Sequence, residues 1–372
     1  MLESGNTLDA LNIITISFLG LLVIGAFAAT YSTAAIGIDS SIAVGPNPAE
    51  IVFDAKDNSA FLIVGGSGGA TASVTDINAI DNSVMTTQKV TEPVDIVYNP
   101  TNDQVYVTSK NHGVNILNGE TGKLVTKVNV ATNDFHEDIA YNPANGNVYV
   151  VDTNPGEVSV ISGTTNEVTA TIKTGYVPQH LAFNPADEDM YVFLATRTSR
   201  GPYVDVISSS TNQVVKSITL ASKGGSSFPD ATLAYYPASQ SMYVSNGVST
   251  IYVLSNEALA AKISITAEGM VYNPANNEMY AVGGGDIFAI SSSNSVVATL
   301  LDPAGYLNLA YDSGNSDVYV GGSIVAVVST SNTLVASIST GSVGYVLFNS
   351  VGNDVYASLQ TTPGIVDVIS SS

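Results

Sequence analysis

Four side chains able to bind a hard cation share one position of an internal repeat. Each stands three residues before the aromatic residue that opens a recurring segment: Glu50, Asp95, Asp138 and His180. The other four copies carry Thr232, Gly269, Asn308 and Tyr345 at that position. Carboxylate oxygens are the ligands that Ca²⁺ prefers. If the copies surround an axis, the first four residues are predicted to form a metal site in a channel. The alternative is a solvated polar channel without a cofactor.

A small positive group stands out against an acidic chain. Arg197 and Arg200 are the protein's two arginines, and both fall in the segment ATRTSRGPY; Lys223 lies in the following segment ASKGGSSFPD. A guanidinium group binds carboxylates through paired hydrogen bonds. These three residues are therefore candidate ligand contacts, toward a partner protein or an acidic glycan. The alternative is two long solvated loops.

Groupings typical of catalysis are scarce. The protein has three histidines, and the sequence contains neither an H-E-x-x-H motif nor a phosphate-binding glycine loop. The cluster that could support acid–base chemistry is His136-Glu137-Asp138. We predict that the protein is not an enzyme. A hydrolase or lactonase with a channel-bound cation is the enzymatic alternative.

The composition excludes several classes of partner. Among 372 residues, 32 are acidic and 11 basic, for a formal charge of −21. Because no basic run exists, the surface should not attract nucleic acid or anionic lipid. The chain has no cysteine, which removes disulfides and thiolate metal ligands. A charged share of only 12%, with abundant Ser, Thr, Asn and Tyr, favours strands and turns and indicates an extracellular surface.

The N-terminus carries a hydrophobic segment that the repeat does not include. Residues 10–29 are uncharged and long enough to span a bilayer as a helix. The preceding residues are acidic, whereas Ala26-Phe27-Ala28 resembles a cleavage signal of a secretory peptide. We predict a hydrophobic helix within residues 1–35, which is a cleaved signal, a membrane anchor or an assembly helix. All three interpretations indicate export or membrane association.

An eight-residue step between two aromatic residues defines the repeat. It separates Tyr98 from Tyr106 within YNPTNDQVYVTS and Tyr141 from Tyr149 within YNPANGNVYVVD. The same step occurs at Phe53–Phe61, Phe183–Tyr191, Tyr235–Tyr243, Tyr272–Tyr280, Tyr311–Tyr319 and Phe348–Tyr356. The opening aromatics lie 37 to 52 residues apart, a period typical of repeat architectures.

Each copy is predicted to form four short strands. In the third copy, strand A ends at Tyr141, the turn 142–147 follows, and strand B is Val148–Val150; strands C and D are Val158–Ile161 and Val168–Ile172. Four antiparallel strands per unit of about 40 residues are typical of a β-propeller blade. The fold class is therefore all-β, an eight-bladed propeller. Seven blades, a β-solenoid and a row of sandwiches are the alternatives.

The two ends of the chain predict how the ring closes. The last copy ends after its strand C, at 365–369, and lacks strand D. Residues 42–53 align without gaps on 172–183, so that the stretch 38–44 corresponds to an isolated strand D. We predict that strand 38–44 completes the last blade, which pairs the open edges. The propeller domain then covers residues 36–372.

Short segments of the repeat resemble a known family. Tyr106-Val107-Thr108, Tyr149-Val150-Val151 and Tyr243-Val244-Ser245 precede alternating V-x-V-I strands, and a T-N-x-V turn follows at 165–168. In these features residues 38–372 resemble the YVTN-type β-propeller repeats of archaeal surface-layer proteins and related extracytoplasmic proteins. The resemblance implies a propeller at the cell surface and brings no catalytic residues.

These features together predict a non-enzymatic extracellular propeller with a structural or adhesive role at the cell surface. Its partner would be a cell-envelope protein or glycan. The alternative is a subunit of an extracellular filament, in which the N-terminal helices pack together and the propellers lie outside. Insertion into a membrane or self-association would use residues 10–29, provided that they are retained.

Overall fold

A computed structural model describes residues 36–65, 72–110, 112–130, 138–175, 177–195, 201–221, 231–301 and 308–370. The hydrophobic helix predicted within residues 1–35 lies outside these ranges and stays a prediction. Across the ranges that the structure covers, no helix is both long and apolar enough to cross a bilayer.

The described residues form eight sheets of four antiparallel strands. The first strand, β1 (Gly37–Val44), belongs to the last sheet, and the other sheets follow in chain order. Blade 1 has β2 (Pro48–Asp54), β3 (Ser59–Val64), β4 (Ser73–Asn78) and β5 (Val84–Lys89). Blade 2 has β6 (Pro93–Asn99), β7 (Gln104–Ser109), β8 (Gly113–Asn118) and β9 (Leu124–Val128). Blade 3 has β10 (Ile139–Asn142), β11 (Asn147–Asp152), β12 (Glu157–Ile161) and β13 (Val168–Lys173). Blade 4 has β14 (Val177–Asn184), β15 (Asp189–Ala195), β16 (Tyr203–Ser208) and β17 (Gln213–Thr219).

The second half of the chain repeats this arrangement. Blade 5 has β18 (Thr232–Tyr236), β19 (Ser241–Ser245), β20 (Ile251–Ser255) and β21 (Ala258–Ile263), with a 3₁₀ turn at Pro237–Ser239. Blade 6 has β22 (Gly269–Asn273), β23 (Glu278–Gly283), β24 (Asp286–Ile290) and β25 (Val296–Leu301). Blade 7 has β26 (Asn308–Tyr311), β27 (Val318–Gly321), β28 (Val325–Val328) and β29 (Leu334–Ile338). Blade 8 has β30 (Val343–Asn349), β31 (Asp354–Leu359) and β32 (Gly364–Ser370), followed in space by β1. Within each blade the strands are called A to D in this order.

The A strands form a closed inner ring. Each of them contacts the A strands of both neighbouring blades, including β30 of blade 8 with β2 of blade 1. This is the arrangement of an eight-bladed β-propeller, so the predicted all-β fold is confirmed. The alternatives of seven blades, a solenoid and a row of sandwiches are wrong.

Strand β1 closes the ring by completing blade 8. It pairs antiparallel with β32, with Ile42 opposite Val366 and Ser41 opposite Asp367. The Ser41 hydroxyl donates to Asp367 Oδ1 at 2.6 Å, and Ile42 is buried in the core between blades 8 and 1. The observed strand Gly37–Val44 thus supplies the edge that β32 would otherwise expose.

The A–B turns of all eight blades share one left-handed backbone position. The residue five positions after the opening aromatic has a positive φ in all eight blades, at Asn58, Asp103, Gly146, Glu188, Gln240, Asn277, Ser316 and Asn353. This left-handed position sets the eight-residue step, because the second aromatic follows it at a fixed distance along strand B. The repeated spacing in the sequence therefore reflects one repeated turn.

The second aromatic of the step binds the next blade. All eight of these residues are fully buried. Five tyrosine hydroxyls donate to an Asn in the C–D turn of the following blade: Tyr106 to Asn166 (2.9 Å), Tyr149 to Asn212 (2.6 Å), Tyr243 to Asn294, Tyr280 to Asn332 and Tyr356 to Asn82 (2.5 Å each). Each of these Asn residues has a positive φ. At five of the eight interfaces the repeated segment thus hydrogen-bonds one blade to the next.

Side-chain amides of the A–B turn add a second fastening. In blade 2, Asn99 Nδ2 donates to Gly146 O at 3.0 Å and Asn102 Nδ2 donates to Gly163 O at 2.6 Å, both in blade 3. Blade 3 repeats this toward blade 4, where Asn142 donates to Ser209 Oγ and Asn145 to Ser209 O. These turn positions are therefore amide donors aimed at oxygen acceptors of the next blade.

Candidate functional site

The predicted ring positions lie at the start of the A strands. Glu50 and Asp95 are the third residues of β2 and β6, Asp138 immediately precedes β10, and His180 lies in β14. All four are half-buried. Since the A strands form the inner ring, these side chains stand near one mouth of the channel, on the side of the D–A and B–C connections.

Six of the eight ring positions form one connected set of polar side chains, which we call the polar arc. In ring order its members are Asn308, Tyr345, Glu50, Asp95, Asp138 and His180, from blades 7, 8, 1, 2, 3 and 4. Tyr345 interacts electrostatically with Glu50, Glu50 with Asp95, and Asp95 with Asp138, so that each of these side chains affects the pKa of a neighbour. The remaining positions, Thr232 and Gly269, carry no charge.

The polar arc also binds main-chain groups of the following blade. Asp95 Oδ2 accepts from the Ile139 N–H at 3.0 Å, and Asp138 Oδ2 accepts from the Leu181 N–H at 2.8 Å. Across blades 7 and 8, Asn308 Oδ1 accepts from the Val346 N–H at 2.8 Å. In each case the donor follows the next ring position directly. Part of the arc's hydrogen-bonding capacity therefore holds neighbouring A strands together.

Electrostatics favour a proton on the central carboxyl group. Burial, followed by the negative charge of Glu50 and Asp138, raises the pKa of Asp95 well above its ordinary value. Burial likewise raises the pKa of Glu50, although the hydrogen bond with Asp95 acts against this. A protonated Asp95 relieves the repulsion between the carboxylates on either side. Burial and these carboxylates also raise the pKa of Tyr345, which keeps its hydroxyl protonated.

His180 ends the polar arc. Its Nδ1 lies 3.4 Å from Asp138 Oδ2. Its Nε2 is buried and has no hydrogen-bond partner among the described residues. Chemically, the arc can share protons, accept hydrogen bonds from a cationic group, and offer carboxylate and imidazole ligands. A metal ion held by Glu50, Asp95, Asp138 and His180 stays a prediction.

The other candidate residues lie outside the described part of the chain. Arg197, Arg200 and Lys223, the candidate ligand contacts, belong to the segments 196–200 and 222–230, and His136 and Glu137 belong to 131–137. These segments connect β15 to β16, β17 to β18, and β9 to β10. They are B–C or D–A connections, the class that begins or ends beside the polar arc. Their roles stay predictions.

Comparison with solved structures shows the same fold at low sequence identity. The chain is similar to a Kuenenia stuttgartiensis hydrazine synthase structure (17% identity, 92% of this chain and 99% of that one, TM-score 0.59). It is also similar to the C-terminal WD40 domain of Sif2 (10% identity, 91% and 98%, TM-score 0.69) and to the Dos1 propeller (13% identity, 90% and 95%, TM-score 0.69).

No protein-family model and no curated protein matches the chain. The resemblance to YVTN-type repeats therefore rests on the quoted segments alone. The structural similarity, at identities of 10–17%, establishes the fold and leaves activity and partners open. The chain is a β-propeller with eight four-stranded blades.

Proposed function

We propose that this protein is a non-enzymatic binding propeller of the cell surface, with a structural or adhesive role toward an envelope protein or glycan. The observation that carries the proposal is that loop length varies in the B–C and D–A connections but not in the A–B turns. The A–B turns keep one eight-residue spacing between the two aromatics and one positive-φ position in all eight blades. The B–C connections range from two residues, at 284–285, to eight, at 65–72, and one D–A connection reaches twelve, at 220–231. A rigid scaffold with variable loops on one face suits recognition.

The polar arc supports a binding role over a catalytic one. Two of its carboxylates accept hydrogen bonds from main-chain N–H groups of the next blade, and burial together with the charges of Glu50 and Asp138 raises the pKa of Asp95. Groups committed in this way maintain the channel wall. A reactive base or nucleophile would need an oxygen or nitrogen directed at a substrate.

Charge and composition support the choice of partner and place. The net charge of −21 repels polyanions over most of the protein's surface. It therefore favours partners that are not polyanions. Arg197, Arg200 and Lys223 would give the variable face a local positive group for a carboxylate of the partner. The uncharged segment 10–29 and the resemblance to YVTN-type repeats support export to the cell surface.

Binding to envelope fractions tests the proposal. Full-length protein would be tested by biolayer interferometry against polysaccharide and protein extracted from the envelope of the producing cells, at increasing salt. We expect binding to one fraction, weakened several-fold by the triple variant R197S/R200S/K223S. The matched control K262S changes an exposed lysine on β21, outside the variable connections. Absence of binding to every fraction would overturn the function, and equal binding by the triple variant would overturn the contact residues.

The alternative function, a filament subunit, rests on the same N-terminal segment. A retained helix over residues 10–29 exposes more apolar surface than a soluble monomer tolerates, and Gly20, Gly25 and Ala28 permit close helix packing. Light scattering after size-exclusion chromatography of full-length protein, without detergent and with the intact mass measured, tests this. Large regular assemblies favour the filament, and a monomer with an intact N-terminus excludes it.

A further inference from the structure

In blades 2 and 3, two positions of the A–B turn carry amide side chains that donate hydrogen bonds to the next blade. The first blade departs from the repeat at both positions. Its A–B turn reads Asp54-Ala55-Lys56-Asp57, where blade 2 has Asn99-Pro100-Thr101-Asn102. A carboxylate cannot donate a hydrogen bond, so both fastening donors toward the next blade are lost. This substitution of two amides by two carboxylates occurs at the interface of blades 1 and 2.

A third carboxylate meets them from blade 2. Asp54, Asp57 and Asp103 each direct an oxygen into one cluster, and these oxygens all lie within 4.8 Å of one another. Asp54 is fully buried, with 0% of its surface exposed, and its Oδ2 has no hydrogen-bond partner in the described part of the chain. Asp57 Oδ2 is likewise buried without a partner there. Asp54 and Asp57 therefore each bring to the cluster one buried carboxylate oxygen without a hydrogen-bond donor among the described residues.

Gly119 has no Cβ atom, and this lets the carboxylates of the cluster pack directly against its backbone. A Cβ atom at Gly119 would stand 2.5 Å from Asp103 Oδ1 and 2.8 Å from Asp54 Oδ2, closer than any side chain can approach. Asp103 and Gly119 occupy the same repeat positions as Gly146 and Gly163 of blade 3. At the interface of blades 2 and 3, the carbonyl oxygens of Gly146 and Gly163 accept hydrogen bonds from the side-chain amides of Asn99 and Asn102. At the interface of blades 1 and 2, the carboxylates of Asp54 and Asp57 therefore face positions that accept hydrogen bonds, so that neither side supplies a side-chain donor.

The nearby positive charge is too small and too exposed to neutralise the cluster. Lys56 Nζ lies 2.5 Å from Asp103 Oδ2, while the lysine side chain is 58% exposed. Asp76 is buried close by, and burial together with the charges of Asp54 and Asp57 raises its pKa to about 6. The single positive charge of Lys56 is therefore not enough to balance the several carboxyl groups around it.

We propose that Asp54, Asp57 and Asp103 bind a Ca²⁺ ion that joins blades 1 and 2 in place of the two missing amide donors. Three carboxylates supply oxygen ligands of the kind that Ca²⁺ accepts in flexible geometry, and water would complete the coordination. The donor set contains no imidazole or thiolate to favour Zn²⁺. On binding, Lys56 moves to solvent. This site is separate from the polar arc and independent of the proposed function.

Calcium binding and its effect on stability test the proposal. For chelator-treated full-length protein, we expect calorimetric titration to show one equivalent of Ca²⁺ bound by these residues, and millimolar Ca²⁺ to raise the Tm by about 2–5 °C relative to EDTA. Mg²⁺ should give a smaller shift, because it requires a tighter octahedral set. Absence of any Tm shift at millimolar Ca²⁺ would overturn the proposal.

The decisive variant restores the pattern of the other blades. D54N/D57N should regain amide donors toward blade 2, so its Tm in EDTA should exceed that of the wild type, while its Tm response to Ca²⁺ disappears. The matched control is D187N, because Asp187 holds the repeat position of Asp57 in blade 4 but accepts from Asn184 Nδ2 at 2.9 Å and Tyr191 OH at 2.6 Å. D187N should keep the full response.

Terbium luminescence locates the ion without depending on stability. Tyr98 OH lies 3.1 Å from Asp103 Oδ1, and the protein has no tryptophan to obscure tyrosine excitation. Tyrosine-sensitised Tb³⁺ emission should be displaced by Ca²⁺ and strongly reduced in Y98F, with Y141F as the control. Emission unaffected by D54N/D57N, or abolished instead by E50Q, would overturn the site.

Discussion

The Tyr356 hydroxyl in blade 8 donates a hydrogen bond to Asn82 Oδ1 in blade 1 at 2.5 Å. The contact crosses the interface where the ring closes, and it repeats the Tyr-to-Asn bond that joins four other pairs of blades. At the interface of blades 1 and 2 the same positions hold Phe61 and Gly122, which also has a positive φ. At this interface the tyrosine hydroxyl and the asparagine that would accept its hydrogen bond are therefore both absent.

This pairing predicts a coupled effect on stability. Y356F leaves the half-buried Asn82 side chain without its donor and should lower the free energy of unfolding by about 1–2 kcal/mol. N82G should cost little more once the hydroxyl is gone, because the pair then matches Phe61 and Gly122. A double-mutant cycle measured by calorimetry should show a coupling of about 1 kcal/mol. Simple additivity of the two effects would contradict the prediction.

Closure by β1 predicts sensitivity at one position of an exposed strand. Ile42 is 7% exposed in the core shared by blades 8 and 1, whereas Ile38 on the same strand is 42% exposed. I42D buries an unpaired carboxylate and should detach β1, which leaves β32 as an open edge. The expected result is a lower Tm with self-association in light scattering. I38D is the control and should stay monomeric to the same degree as the wild type.

Buried carboxyl groups predict that the fold is more stable in acid than in mild base. Burial, with the nearby Glu157 charge, raises the pKa of Asp152 to about 7 from its ordinary 3.8, and Asp152 is 1% exposed. Between these two values the folded protein binds a proton that the unfolded chain has lost. The stabilising contribution of the protonated form is therefore complete below about pH 4 and is lost as the pH rises through about 7.

D152N tests this pH dependence. The amide cannot ionise, so the variant should be more stable than the wild type by about 2–4 kcal/mol at pH 8, and the gain should vanish near pH 4. Thermal unfolding at both pH values measures it. A gain of equal size at pH 4 and pH 8 would show that the effect does not come from ionisation.

The proton assigned to Asp95 gives a separate prediction for the channel. Asparagine copies a protonated carboxyl group, since it accepts from the Ile139 N–H and donates toward Glu50. D95N should therefore keep or raise the Tm at pH 7, while D95L removes the acceptor and should lower it by several degrees. Equal losses in both variants would mean that an ionised Asp95 stabilises the arc.

The fold was predictable because each copy of the repeat has the same eight-residue step between aromatics and the same order of short strands. The closing strand could be located at 38–44 from an alignment with another blade and is observed at Gly37–Val44. Positions that point to one site in sequence also share one ring in space, as Glu50 and Asp95 do. What sequence could not supply is the partner of each side chain, because hydrogen bonds between blades depend on how far one sheet is rotated against the next.

The cluster of Asp54, Asp57 and Asp103 shows this limit clearly. Aligned turns contain the signal, since Asp stands in blade 1 where Asn stands in blade 2. In sequence alone the first copy simply resembles a degenerate repeat. Only the packing of blade 2 against blade 1 brings Asp103 to the other two residues and leaves Asp54 Oδ2 buried without a donor.

The central claim, a binding propeller displayed on the cell surface, is tested most directly by protease treatment of intact producing cells. Peptides released from the living cells would be identified by mass spectrometry, with a cytosolic enzyme followed as the control for lysis. The account predicts early release of peptides that begin or end in 196–200 and 222–230, within the variable connections, while the cytosolic control stays intact. Release of these peptides only after the cells are lysed would contradict surface display.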